Sequence, residues 1–138
     1  MFLGIRMRTA YLSTVIVLAL ACTTEPNLDE VEAVTTESAY TTPASITVRI
    51  TNTSSRTLYG AFCPTMIERR VGDTWERTGF ERACPAIFSP LVGARTVSTR
   101  VVDIPEAMSA GEYRLAVVVY THEAELIGTL VTRTFQIE

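Results

Sequence analysis

The sequence predicts an all-β chain, a single antiparallel sandwich of about seven strands. Three observations predict it. Apolar residues alternate with polar ones at a period of two, most plainly where Ile46, Val48 and Ile50 interleave with Thr47, Arg49 and Thr51. The apolar runs are short and punctuated by clusters of glycine, proline, asparagine and serine. Beyond the first segment, no long stretch shows a convincing helical period.

The elements follow in chain order. "SITVRITNT" reads as a half-buried strand closed by the turn cluster "NTSSR". "TLYGAFC" comes next. "TMIERRV", Gly72–Asp73 and "TWERTGF" then read together as a hairpin. Pro85 and Pro90 in "ACPAIFSPLVGA" argue against a regular strand there. "RTVSTRVVDI", "EYRLAVVVYT" and "LIGTLVTRTFQI" complete the set.

The amino terminus has a different logic. Arg6 and Arg8 precede an apolar run from Ala10 to Ala21 that only Ser13 and Thr14 interrupt, and the run stops at Cys22. A run of this length is short for a bilayer span, which takes about 20 apolar residues, and suits the core of an export signal. "ALAC" at Ala19–Cys22 resembles the lipobox of bacterial lipoproteins, although Ala19 stands where that family usually has leucine. The resemblance implies cleavage before Cys22, lipidation of its sulfur and acylation of the new amino terminus. It also implies outer-membrane sorting in a cell with two membranes, because Thr23 rather than aspartate follows the cysteine. Two or more acyl chains make a durable anchor. Residues 1–21 are thus expected to be the signal, with either Met1 or Met7 able to start it.

Residues 22–44 carry Glu25, Asp29, Glu30, Glu32 and Glu37 with no basic residue, and many threonines. That composition predicts an acidic, flexible tether, in which "LDEVEAV" could form a short helix. The domain is expected over residues 45–138. Its arginines and carboxylates balance, so the net charge of −3 reflects the amino-terminal acids, and nothing suggests a nucleic-acid-binding face.

"IPEAMSAGEYRLAVVV" places Pro105, Gly111 and Tyr113 just before an apolar strand. This arrangement resembles the approach to the penultimate strand of immunoglobulin-like and fibronectin type III-like domains. The resemblance implies a tyrosine corner, with Gly111 in the turn, the Tyr113 hydroxyl bonded back to the main chain, and Leu115 and Val117 facing the core. Leu115 occupies the place of an intersheet cysteine, so that bond is absent.

Of three cysteines, lipidation would remove Cys22 and leave Cys63 and Cys84 to pair in an oxidising compartment. That bond would close a loop of about 22 residues and contribute roughly 3 kcal/mol. Zinc would want four soft ligands, and a redox pair closer spacing. His122 is the only histidine; with Glu123 and Glu125 it could hold a metal or act as a base, but a solvent-facing loop position is the plainer reading. Met66 and Met108 lack the clustered pattern that copper ligands need beside His122.

No cofactor is implied. Within the cysteine-bounded segment, Glu68, Asp73, Glu76 and Glu81 interleave with Arg69, Arg70, Arg77 and Arg82, the ordinary pattern of a hairpin's outer face. Trp75 is expected in the core; facing outward beside Arg69, Arg70 and Arg77, it would instead be an anchor for a partner. The expected function is therefore that of a non-enzymatic, lipid-anchored envelope module with a protein partner and a monomeric domain. The alternatives are a metal-binding or enzymatic lipoprotein centred on His122, and a protease-inhibitor-like sandwich.

Overall fold

A computed structural model describes residues 27–60, 67–78, 88–104 and 107–138. After a 3-10 turn at Leu28–Glu30, eleven strands follow: β1 (Val31–Thr35), β2 (Ala39–Tyr40), β3 (Ala44–Asn52), β4 (Leu58–Tyr59), β5 (Ile67–Val71), β6 (Thr74–Arg77), β7 (Pro90–Val92), β8 (Val97–Ile104), β9 (Gly111–Tyr120), β10 (Leu126–Val131) and β11 (Phe135–Ile137). They form an all-β sandwich. One sheet has the order β1-β3-β8, antiparallel throughout. The other is built around β9, which β10 and β11 flank on one side and β4 and β5 on the other. Strand β2 lies outside β11, β7 outside β4 and β6 outside β5.

The strand count exceeds seven for identifiable reasons. The long carboxy-terminal apolar segment is broken into β10 and β11 at Thr132, whose hydroxyl accepts from the Leu115 N–H at 3.0 Å. The neighbouring Arg133 N–H turns away to the Ala33 carbonyl, 3.1 Å. Strand β7 includes Pro90, at its first position and on an outer strand, where no ladder donor is needed. The sandwich is also not wholly antiparallel, since β2 runs parallel to β11.

The largest correction concerns the acidic segment. From Asn27 onward it is part of the fold. Strand β1 pairs residue for residue with β3, from Val31 opposite Asn52 to Thr35 opposite Val48. Val31, Ala33 and Tyr40 are buried, and the Tyr40 ring meets Phe135 edge-on at 5.5 Å. The acids of β1 do not oppose this, because alternation turns Glu32 to solvent, where it pairs with Arg133. Of "LDEVEAV", Leu28–Glu30 forms a single 3-10 turn and the rest is strand.

The core is the interleaved inner faces of the two sheets. Ile46, Val48 and Ile50 of β3 meet Leu115, Val117 and Val119 of β9, closed at one end by Tyr113 and Phe135. Each such aliphatic side chain contributes about 1.5–3 kcal/mol by leaving water. Close approach at β4 requires a glycine, because a Cβ on Gly60 would lie 2.7 Å from the Val118 carbonyl oxygen. At the last position of β3, Asn52 is 1% exposed and fully bonded. Its amide donates to the Arg56 and Gly93 carbonyls at 2.7 and 2.9 Å, and its oxygen accepts from the Ser54 N–H and hydroxyl.

Candidate functional site

The predicted hairpin is present. Gly72 and Asp73 form its two-residue turn, and Gly72 takes φ 59°, a conformation that glycine adopts without strain. Register then decides which way its side chains point. Ile67 pairs with the buried Leu115, so those two look inward. The alternate positions look outward: Glu68 lies beside Arg114 and Arg77, and Arg70 beside Trp75.

Trp75 is therefore not a core residue. It sits half-buried on the outer face, with the Arg114 guanidinium 4.3 Å from its ring centroid. Arg114 is also held by Glu68 at 2.6 Å, so the cation is fixed over the indole by a carboxylate on the adjacent strand. Arg70 reaches Glu112 at 3.1 Å. Arg77 is exposed and has no ion pair among the described residues. The outer face thus carries a tryptophan in a frame of arginines and carboxylates.

Arg69 does not belong to this face. It has the parity of Ile67 and lies at the rim of the core, 6.0 Å from the Tyr113 ring centroid, donating to the Ala110 carbonyl at 3.0 Å. Arg69 thereby braces the tyrosine corner. The Tyr113 hydroxyl donates to the Ser109 carbonyl at 2.7 Å, while its ring is 1% exposed, and Leu115 and Val117 are fully buried. Gly111 begins β9 rather than occupying the turn, and a Cβ there would crowd the Arg69 guanidinium.

At the other end of β9, His122 is exposed in the β9–β10 loop. Its Nδ1 lies 3.1 Å from the Tyr59 hydroxyl. The Tyr59 ring stacks on Phe88 at 4.9 Å and 6°, and Phe88 meets Tyr120 edge-on. A cleft of about 340 Å³ opens here, lined by Arg56, Tyr59, Thr121, His122, Glu123 and Ile127 among others. Its sequence signal was faint, because Tyr59, Phe88 and Tyr120 are far apart in the chain and come together only through the pairing of β4 with β9 and with β7. Among the described residues, no three of histidine, cysteine, aspartate and glutamate come together in a group that could hold a metal. Met108 packs against the core next to Thr42, at the opposite end of β9 from His122. Cys22, Cys63, Cys84, Met66, Glu81 and Arg82 lie outside the described residues.

The chain matches no family model, no curated protein and no solved structure. The class that fold and geometry define is a small β-sandwich with a tryptophan–arginine face on a hairpin at the edge of one sheet.

Proposed function

We propose that the protein is a non-enzymatic, lipid-anchored module of the cell envelope that engages a protein partner through the outer face of the β5–β6 hairpin. The anchor is diacylglyceryl-modified Cys22, read from the lipobox-like "ALAC". Thr23 in the following position favours the outer membrane in a cell with two membranes.

The observation that carries the partner reading is the placement of Trp75. A tryptophan held on a sheet's outer face, beside the exposed Arg70 and Arg77, has the composition of an interface hot spot, where tryptophan and arginine are enriched. Its contact with Arg114 keeps the indole in one orientation, so little side-chain entropy is lost on docking. Strand β6 adds an edge that pairs only with β5 among the described residues, available for extension by a partner strand.

The test is photo-crosslinking in native envelopes, with the reactive side chain at Arg77 and a control at Thr99 on β8 of the other sheet. A discrete adduct at Arg77 that Trp75→Ala removes is the expected result. No adduct at Arg77, or an equal one at Thr99, overturns the reading.

A further inference from the structure

We infer that the end of the sandwich carrying the 3-10 turn and the β9–β10 loop rests on the bilayer surface, and that the β5–β6 hairpin points away from it. The inference rests on lipidation of Cys22. Its first observation is how little chain separates that cysteine from the fold. The 3-10 turn begins at Leu28, so only residues 23–27 lie between it and Cys22. At no more than about 3.3–3.6 Å per residue, such a link reaches about 18 Å. The acidic segment is thus no long spacer, since the 3-10 turn, β1 and β2 all lie within it.

The second observation is where the chain joins the fold. The Thr53 N–H and hydroxyl donate to the Glu30 carbonyl, at 2.9 and 3.0 Å. A Cβ on Gly128 would lie 3.2 Å from Leu28. The point of attachment therefore adjoins the end of β3 and the start of β10, and Tyr120 at the end of β9 pairs with Leu126. The hairpin lies at the other end, because β5 runs antiparallel to β9 from Ile67 opposite Leu115 to Arg69 opposite Tyr113, carrying Gly72 past the start of β9. The ten residues of β9 separate the two ends by roughly 30 Å at about 3.3 Å per residue.

The third observation is what the attached end exposes. Leu126, at 68%, is the most exposed large apolar side chain among the described residues, and Val97 and Phe88 are 54% and 46% exposed, whereas Val101, at 60%, lies mid-strand in β8 and the hairpin end has only Val71, at 46%. Val97 pairs with Thr51 near the end of β3, and Phe88 stacks on Tyr59 beside His122. Apolar side chains with tyrosines among them suit the depth of lipid headgroups. The charges on the same loops, Asp29, Glu30, Glu123 and Glu125 against Arg56 and Arg95, favour zwitterionic over anionic lipid.

The test uses the full-length lipidated protein in phosphatidylethanolamine–phosphatidylcholine vesicles containing lipid with a nitroxide headgroup. A fluorophore is placed at Glu123 in one preparation and at Asp73 in another. Quenching several-fold stronger at Glu123 than at Asp73 is the expected result. Equal quenching, quenching stronger at Asp73, or weak quenching at both with the mass of a dimer overturns the orientation. Co-sedimentation of the unlabelled protein is read first. A chain that stays in solution overturns the anchor, and with it the orientation, whereas a chain that sediments but quenches wrongly overturns the orientation alone.

Discussion

Asn52 and Tyr113 sit at opposite ends of the sandwich and do similar work with side-chain hydrogen bonds. Asn52 satisfies two loop carbonyls and accepts two bonds from Ser54, all from a nearly inaccessible position. Truncation leaves those groups without their partner, and an unmatched buried polar group costs about 1–3 kcal/mol. Asn52→Ala is therefore expected to lower stability by about 2–3 kcal/mol, seen as a fall in the urea midpoint at unchanged m-value. Tyr113→Phe removes the 2.7 Å bond to the Ser109 carbonyl and the long 3.4 Å contact with the Ser109 hydroxyl but keeps the ring against Phe135, so about 1 kcal/mol is expected in the same measurement. A Tyr113→Phe change as costly as Asn52→Ala would mean that the corner hydroxyl holds more than one carbonyl in place.

At the scale of elements, β1 is where prediction and structure part. Strands β3, β8 and β9 were legible, because each is a run of eight to ten residues rich in β-branched side chains, alternating with polar ones in β3 and continuously apolar from Leu115 to Tyr120 in β9. In β1 only Val31 and Ala33 face inward, between acids and threonines, and Tyr40 is isolated in a two-residue strand. A pattern so short has the composition of a tether, and pairing with β3 overrides it. The hairpin's existence was readable from Gly72–Asp73, but not the face that Trp75 occupies, which depends on register against β9. The aromatic group of Tyr59, Phe88 and Tyr120 left no local signal at all. These readings separate two soluble fragments. A chain starting at Asn27 is expected to unfold cooperatively on heating. One starting at Ser45 loses the burial of Val31 and Tyr40, each about 1.5–3 kcal/mol, together with the β1 ladder. Against a net stability of 5–15 kcal/mol typical of domains, that loss is enough to broaden or abolish the transition. A sharp transition in the shorter fragment would show that β1 is an ornament of the fold.

For the whole molecule, the two ends of β9 divide the proposed roles: attachment at one, partner engagement at the other. This division depends on the chemistry of Cys22, and the intact mass of the membrane-extracted protein decides it. The expected species begins at Cys22 and is heavier than that polypeptide by a diacylglyceryl group and an acyl chain. The same sample tests the remaining cysteines. If Cys63 and Cys84 are joined, alkylation labels neither before reduction and both after it. Reduction should also lower stability by roughly 3 kcal/mol, the chain-entropy value for a loop of about 22 residues. That loop contains the whole β5–β6 hairpin, so its closure restricts the segment bearing Trp75. Reduction is accordingly expected to weaken the Arg77 crosslink more than it weakens membrane attachment, which depends on the acyl chains alone. Equal loss of both would instead mean that the two ends of the sandwich are not independent.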